Sequence, residues 1–187
     1  MQSRNPGVLE KMIAGGFRPD DAQECGNFEM RIARDGTWYH QGRPIRRMAL
    51  VKLFSTVLRR DESGGYWLVT PVEQGRIEVE DVPFTAVELQ AEGSGRDMML
   101  TFRTNLDQMV TVDAAHPIRV AEDTATGEPA PYVLVRDNLE ALIVRSVFYE
   151  LAELAEERAG DEGPEMVVWS GGIPFVLGPA DDENGEG

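Results

Sequence analysis

The first third of the chain alternates apolar and polar residues as a strand with one buried face does. Phe28, Met30 and Ile32 are apolar, and the residues between them are charged. Because successive side chains of a strand point to opposite faces, this spacing of two predicts a strand. The turn-forming residues 34–36 then predict a hairpin, with a second short strand over residues 37–41.

Downstream, the apolar spacing changes to three and four, which predicts a helix over residues 46–60. The apolar face of this helix consists of Met48, Leu50, Val51, Leu53, Phe54, Val57 and Leu58. Arg59 and Arg60 then lie in the last turn, where cations complement the helix dipole. Strands over residues 66–70 and 76–82 follow, so the segment as far as Pro83 predicts a small strand-helix-strand unit.

The second half is typical of an antiparallel meander followed by a long helix. Short strand patterns, separated by turn-forming residues, cover residues 84–92, 97–104, 107–113, 118–122 and 132–135. Asp137 precedes Glu140 by three residues, which matches a capping box and predicts a helix of about 20 residues. The apolar stripe of that helix is Leu139, Ile143, Val147, Leu151 and Leu154. A last hairpin is predicted around the Gly171-Gly172 pair.

These patterns predict an α+β fold built from duplicated strand-helix-strand units. The duplication rests on two short echoes, residues 38–45 and 169–175, in each of which a Trp is followed by a Gly and then by a Pro. Each echo also lies next to a predicted amphipathic helix. Eight residues permit a duplication without proving one.

We expect two domains with a poorly ordered segment at each end. A small α+β domain is predicted over residues 25–83 and a second α+β domain over residues 84–179. Residues 1–24 show little periodicity, and residues 180–187 are acidic and Gly-rich. Such composition cannot bury enough apolar surface to order the backbone, so both ends are expected to be disordered.

Charge narrows the partners that the chain can bind. Its 187 residues include 18 basic and 33 acidic side chains, a formal net charge of -15. This charge repels nucleic-acid backbones and anionic membrane surfaces, so we predict neither as a partner. One cysteine and two histidines cannot build a zinc site, and no apolar run approaches the roughly 20 residues of a membrane span. We therefore expect a cytoplasmic protein without a cofactor.

One basic cluster interrupts this acidic chain. Residues 43–60 contain no Asp or Glu and carry Arg43, Arg46, Arg47, Lys52, Arg59 and Arg60. Arg46 and Arg47 would open the predicted helix, where the partial positive charge of the helix end disfavours cations. With the free N-H groups of that end they would form an anion site. The alternative is that acidic residues of the second half pair with them.

Motifs for catalysis are lacking in the sequence. It contains neither a Gly-x-Ser-x-Gly elbow nor a phosphate-binding P-loop. Glu73 and Asp81, eight residues apart across a turn, could act as acid and base in a carboxylate-based hydrolase. Because paired carboxylates are common as solvated groups, this remains the third of three functional hypotheses.

A series of motifs gives the chain a resemblance to a known family. The motifs are Asp35-Gly36-Thr37-Trp38-Tyr39-His40-Gln41-Gly42, Ile45-x-Arg47, Leu50-Val51-x-Leu53-Phe54, Val57-Leu58-Arg59-Arg60, Tyr66-x-Leu68-Val69-Thr70-Pro71-Val72-Glu73 and Val79-Glu80-Asp81-Val82-Pro83-Phe84. Together they resemble the bacterial family called domain of unknown function 1285, over about residues 25–178. The resemblance implies a duplicated architecture, a second domain superficially like pleckstrin-homology folds, and a nucleotide-like ligand held between the domains in signalling.

The resemblance and the basic cluster together predict a non-enzymatic module that senses an anionic, nucleotide-like molecule. The predicted ligand-binding residues are Arg47 as the anion contact, Thr70, Glu73, Thr104 and Asn105 as polar groups from turns, and Arg136 and Arg145 from the second helix. The alternative function is a protein-interaction module, which the pleckstrin-like half and the acidic face of the second helix favour.

Overall fold

The computed structural model describes residues 23–180, which divide into two compact units between Pro83 and Phe84. Of the segments predicted to be disordered, residues 1–24 and 180–187, residues 1–22 and 181–187 lie outside the described residues, whereas residues 23 and 24 begin a strand. The described chain is mostly β with two α-helices, which agrees with the predicted α+β class. No helix of the described part is both long and apolar enough to cross a membrane.

The first unit is one six-stranded sheet with one helix. Its elements are β1 (Gln23–Ile32), β2 (Trp38–His40), β3 (Arg43–Pro44), α1 (Met48–Thr56), β4 (Leu58–Arg60), β5 (Tyr66–Val69) and β6 (Glu73–Val79). The strand order is β3-β2-β1-β6-β5-β4. Neighbouring strands are antiparallel except β1 and β6, which pair in parallel. The first and last strands of the unit therefore lie side by side in the middle of the sheet.

Alternating apolar residues of these strands form the core of the first unit. Ile32, Trp38, Leu58 and Leu68 are almost completely buried. The helix contributes Phe54, whose ring stacks on Trp38 with centroids 6.3 Å apart. The predicted strand around Met30 and Ile32 is therefore confirmed, with its apolar face inward as the alternation requires.

The predicted helix over residues 46–60 is wrong at its C-terminal end. Helix α1 stops at Thr56, and Leu58–Arg60 form strand β4. The hydroxyls of Ser55 and Thr56 donate hydrogen bonds to the carbonyls of Lys52 and Leu53, a local interaction that competes with helix continuation. Leu58 fits a helical face and a strand face equally well, so the apolar pattern alone did not separate them.

The second unit begins with another six-stranded sheet. Its strands are β7 (Phe84–Glu92), β8 (Met99–Thr104), β9 (Met109–Thr111), β10 (Ile118–Glu122), β11 (Pro129–Arg136) and β12 (Leu139–Ile143). Their order is β10-β11-β12-β7-β8-β9. The pairs are antiparallel except β12 with β7, which are parallel. The second half is therefore not the purely antiparallel meander that the sequence predicts.

A helix and a three-stranded antiparallel sheet complete the second unit. They are α2 (Arg145–Glu153), β13 (Glu156–Gly160), β14 (Gly163–Ser170) and β15 (Ile173–Pro179). The hairpin predicted around Gly171-Gly172 is confirmed, and it joins β14 to β15. The buried hydroxyl of Ser170 accepts a hydrogen bond from the Leu100 N-H and donates one to the Val112 carbonyl, which ties this sheet to the larger one.

The predicted long helix from Asp137 is wrong. Asp137 has a positive φ of 49° in a tight turn between β11 and β12, a conformation that Asp adopts more readily than most residues. Leu139, Ala141 and Ile143 are buried at alternate positions of a strand. The spacing of four between Leu139 and Ile143 suits either structure, and the helix that does form has nine residues.

The two large sheets share one topology. If the strands of each sheet are numbered one to six along the chain, both have the order three-two-one-six-five-four, with a parallel pair between the first and sixth strands. The helices differ: α1 connects the third and fourth strands of the first sheet, whereas α2 follows the sixth strand of the second. Positions on the two sheets can therefore be compared strand by strand.

Candidate anion-binding cleft

A cleft of about 390 Å³ lies on strands β4, β5 and β6 of the first unit. It is lined by Arg59, Arg60, Asp61, Trp67, Val69 and Gln74. The strand register explains why these side chains meet. Arg59 pairs with Trp67, and Val69 with Gln74, so they share the face opposite to the buried Leu58 and Leu68.

Arg59 is the exposed cation of this cleft. Its Nη1 donates hydrogen bonds to the carbonyls of Thr56 (3.1 Å) and Leu58 (2.7 Å). Within residues 23–180, no carboxylate forms an ion pair with it. The edge formed by Nε and Nη2 is the edge with which arginine holds carboxylates and phosphates by two parallel hydrogen bonds. Arg59 is therefore able to take an external oxyanion.

Trp67 is held in place by its neighbours. Its indole Nε1-H donates a hydrogen bond of 2.7 Å to Oδ2 of Asp61, and the guanidinium of Arg76 lies 5.3 Å from its ring centroid. The other oxygen of Asp61 accepts the backbone N-H groups of Ser63 (2.9 Å) and Gly65 (2.8 Å). The cleft thus contains a fixed aromatic surface.

Asp61 is ionised in this arrangement. Hydrogen bonds from the Ser63 hydroxyl, then from Trp67 and from the Gly65 backbone, hold the pKa of Asp61 far below its ordinary value of 3.8. A carboxylate with so low a pKa is a poor proton acceptor near neutral pH. Its chemistry is to orient donors, which favours a structural role in the cleft.

A second arginine, Arg60, follows Arg59 on the same edge strand and also lines the cleft. Arg60 is half-buried, and its guanidinium lies 5.3 Å from the ring centroid of Tyr66. Together the two arginines supply positive charge next to the indole of Trp67. Such a set suits a small ligand that combines an oxyanion with a flat ring.

The structure does not place the predicted anion contact, Arg47, in this cleft. Arg47 is exposed and is the residue just before helix α1, with an extended conformation (φ -80°, ψ 98°) and no side-chain capping bond. It lies in the first unit with Thr70 and Glu73, whereas the other four predicted residues lie in the second unit. The seven predicted residues therefore do not form one cluster within either unit.

Thr70 and Glu73 belong to the turn between β5 and β6. The Thr70 hydroxyl donates a hydrogen bond to the Glu73 carbonyl (2.8 Å) and accepts one from the Glu73 N-H (3.1 Å). The two residues are only 0% and 2% exposed. The Thr70 hydroxyl stabilises the turn, and both side chains are buried away from a ligand at the surface.

Thr104 and Asn105 have a similar role in the turn between β8 and β9. The Thr104 hydroxyl accepts the N-H groups of Leu106 (3.3 Å) and Gln108 (3.1 Å). The side-chain oxygen of Asn105 accepts the N-H of Thr85 (3.1 Å). These polar groups satisfy backbone donors, so the turn accounts for both residues.

Arg136 and Arg145 each lie beside an acid. Arg136 ends β11, 3.6 Å from the carboxylate of Asp137. Arg145 opens helix α2; its Nε donates to the Tyr149 hydroxyl (2.6 Å), and its Nη1 is 3.6 Å from Glu128. The sequence predicted that both arginines come from one long helix, but Arg136 ends a strand and Arg145 begins a helix of nine residues.

Sequence reasoning missed Arg59, Trp67 and Gln74 because it assigned Arg59 to the end of a helix. A different pattern was available. The turn-forming segment 61–65 (Asp-Glu-Ser-Gly-Gly) lies between Val57-Leu58 and the run of β-forming residues 66–69, which is typical of a hairpin. Read as a hairpin, the segment places Arg59 next to Trp67.

The structure does not support the carboxylate pair or a metal centre. Glu73 begins β6, and Asp81 lies two residues after its end, so an extended strand separates them by roughly 25 Å. Asp81 is instead 3.6 Å from Arg34. Among the described residues, no group of three potential ligands could hold a metal ion.

Comparison with known proteins gives the class first. The N-terminal domain of unknown function DUF1285 matches residues 19–82, and the C-terminal domain of the protein of unknown function DUF1285 matches residues 83–177. The chain therefore belongs to the DUF1285 family, as its motifs predict. Among curated proteins, none matches it.

Two solved structures are similar to this chain. One is a DUF1285 family protein from Silicibacter pomeroyi DSS-3, with 42% identity, a TM-score of 0.85, and coverage of 96% of this chain and 97% of that chain. The other is a DUF1285 family protein from Shewanella baltica OS155, with 23% identity, a TM-score of 0.54, and coverage of 67% and 91%. The second likeness concerns the fold alone.

Proposed function

We propose that this protein is a non-enzymatic module that binds an anionic, nucleotide-like small molecule, with the cleft on β4–β6 as the binding site. The observation that carries the proposal concerns Arg59 beside the fixed indole of Trp67. Among the described residues, no acceptor contacts Nε or Nη2 of Arg59. The oxyanion of the ligand contacts Arg59, with Arg60 adding positive charge, and the flat part of the ligand stacks near Trp67.

Size and charge support a small anion. A volume of about 390 Å³ falls within the roughly 300–1,000 Å³ of typical small-molecule sites. The net charge of -15 opposes long anionic polymers, whereas two neighbouring arginines attract a small anion locally. The lining offers donors and an aromatic ring rather than a nucleophile with its base, which favours binding over catalysis.

The finer architecture is part of the same proposal. The common strand order of the two sheets supports an origin by duplication, with domains over residues 25–83 and 84–179. A curved sheet followed by a helix supports the likeness of the second domain to pleckstrin-homology folds. A cytoplasmic module with such parts would transmit the presence of its ligand in signal transduction.

The test is a titration with nucleoside mono- and diphosphates, followed by tryptophan fluorescence and calorimetry. We expect one nucleotide class to quench the fluorescence, and Trp67→Phe to remove that response. Arg59→Ala should weaken the affinity at least about tenfold, since a charged hydrogen-bond pair is lost.

The matched control is Arg43→Ala, an exposed arginine on β3 at the opposite edge of the same sheet. It should leave the affinity unchanged. Equal losses in both variants would mean that net charge, not the cleft, governs binding. No response to any nucleotide at millimolar concentration would overturn the proposal.

The second candidate function is protein interaction through the outer face of α2. Tyr149 is 54% exposed there, and Glu150 and Glu153 lie exposed beside it. Exposed aromatic residues are enriched at interfaces. A partner captured by the protein and lost with Tyr149→Ala, but kept with Arg59→Ala, would favour this function.

A further inference from the structure

Four of the six residues that line the cleft have a counterpart at the same register position of the second sheet, whereas Arg60 and Asp61 correspond to Val120 and Ala121. On the fourth and fifth strands of the first sheet, Arg59 pairs with Trp67, and in the second sheet Arg119 pairs with Tyr132. Two residues further along the fifth strand, Leu134 takes the position of Val69. The inward residues correspond as well, since Leu58 pairs with Leu68, and Ile118 with Val133.

The sixth strand differs in charge at two positions. Arg76 pairs with Trp67 in the first sheet, whereas the uncharged Leu142 pairs with Tyr132 in the second. In the first sheet Val69 pairs with Gln74, and in the second Leu134 pairs with Glu140. A carboxylate therefore stands where the cleft has a neutral amide. Because the register is the same, this carboxylate is directed to the same neighbour, the arginine of the fourth strand.

Glu140 binds that arginine with both of its oxygens. Nε of Arg119 donates to Oε1 at 2.5 Å, and Nη2 donates to Oε2 at 2.7 Å. The Glu140 side chain is only 13% exposed, and the guanidinium lies 4.3 Å from the ring centroid of Tyr132. This is the side-on, two-bond geometry in which arginine recognises an oxyanion.

The same edge of Arg59 has no such partner. Only its Nη1 is used, on two backbone carbonyls, and among residues 23–180 no acceptor contacts its Nε or Nη2. Gln74 cannot supply a charged acceptor. The two arginines thus differ in whether their Nε/Nη2 edge is already occupied.

We infer that the second unit holds a second copy of the binding site, in which Glu140 is a built-in ligand, and that the ligand of the first copy presents an oxyanion to Nε and Nη2 of Arg59. The part that concerns Arg59 rests on the proposed function, whereas the part that concerns Glu140 does not. Carboxylate and phosphate share the required chemistry, because both offer two oxygens to the arginine edge.

The reciprocal exchange tests this inference. Gln74→Glu places a carboxylate beside Arg59, which should occupy the binding site of the first copy. Glu140→Ala removes the built-in ligand, which should leave the site of the second copy free for an external anion. The probes are sodium acetate and inorganic phosphate, titrated to about 100 mM at constant ionic strength with chloride as the reference. The readout is the Nε-H resonance of each arginine, assigned through Arg59→Ala and Arg119→Ala.

The wild type should respond at Arg59 and not at Arg119. Glu140→Ala should gain a saturable response at Arg119, and Gln74→Glu should lose the response at Arg59. Glu140→Gln, which keeps the side-chain volume, repeats the second arm if Glu140→Ala folds poorly. A larger effect of acetate identifies a carboxylate ligand, and a larger effect of phosphate identifies a phosphorylated one.

The two parts of the inference fail separately. If neither Glu140 variant responds at Arg119, the second copy is refuted whatever happens at Arg59. If Glu140→Ala responds but the wild type does not respond at Arg59, the second copy stands and the Arg59 part is refuted. A response at Arg59 without any effect of nucleotides overturns the nucleotide-like ligand of the proposed function and leaves the inference intact.

Discussion

The hairpin of β4 and β5 and the hairpin of β10 and β11 place an arginine opposite an aromatic residue in the same register, yet they differ in what the arginine meets. Arg119 is closed by the carboxylate of Glu140, and Arg59 faces a cleft beside Gln74. The strand register is common to both, and the side chain at the position of Gln74 and Glu140 decides whether the arginine edge is occupied. A binding surface can thus be open or occupied within a single topology.

The turns of these hairpins extend the comparison. Each begins with an aspartate whose Oδ1 accepts backbone N-H groups: Asp61 binds those of Ser63 and Gly65, and Asp123 those of Ala125 and Thr126. Only Asp61 also accepts the indole N-H of an aromatic neighbour. In the open site the aromatic ring is thus bonded to the turn of its own hairpin.

The largest expected effect concerns the inward side of the two hairpins. Leu68 and Val133 occupy equivalent, fully buried positions. Leu68→Ala should lower the free energy of unfolding by about 3 kcal/mol and Val133→Ala by about 2 kcal/mol, because each leaves a cavity. Urea denaturation measures both. Losses below about 1 kcal/mol would mean that the hairpins do not contribute equivalent cores.

A smaller effect on stability is expected from substitutions in the sixth strand of each large sheet, and it should differ between the two sheets. Glu140→Ala leaves Arg119 without its carboxylate and should cost about 1 kcal/mol, since Arg119 itself is 51% exposed. Gln74→Ala is the matched control and should change the free energy of unfolding by less than about 0.5 kcal/mol. Equal losses in the free energy of unfolding for the two substitutions would contradict the inference that only the second sheet contains a built-in ligand.

The pH dependence should differ between wild type and Asp61→Asn. Because the folded-state pKa of Asp61 is lowered, its ionised form stabilises the protein above pH about 4, and this contribution is lost as the pH falls toward the folded-state pKa. Urea midpoints measured from pH 6 to pH 3 should fall less steeply in Asp61→Asn. Glu62→Gln, the next residue, controls for the lost charge; an unchanged slope in Asp61→Asn would refute this role.

The smallest effect on stability is expected at Arg59. Arg59→Ala should change the free energy of unfolding by less than about 0.5 kcal/mol, because the side chain is exposed and binds only carbonyls of its own segment. A marked loss of stability, measured by the same denaturation, would indicate that Arg59 serves the fold rather than a ligand.

Local patterns predicted the local structure of this chain. The alternation at Met30 and Ile32 and the Gly171-Gly172 pair both led to the strands and the hairpin that form. Leu58 and Leu139 were assigned to helices because the local pattern fits both structures. A single apolar residue, or two apolar residues four positions apart, can lie on one face of a helix or on one face of a strand. Their true assignment follows from strand partners that lie elsewhere in the sequence.

The candidate site depended on that non-local information. Arg59 meets Trp67 and Gln74 only after the register of three strands is set. The sequence showed the basic cluster but not which of its members would share a face with an aromatic ring. For the same reason the parallel pairing of β1 with β6, and of β7 with β12, could not be predicted from spacing.

The parallel pair of β1 and β6 also bears on how the protein is made. Ile32 pairs with Val79, so the first strand acquires its final neighbour only after roughly 50 further residues have left the ribosome. At about 5–20 residues per second this takes on the order of 2–10 s. During that interval one edge of β1 is unpaired in the nascent chain. Because β2 covers only the other edge of β1, protection of this edge by chaperones would then govern the yield of folded protein.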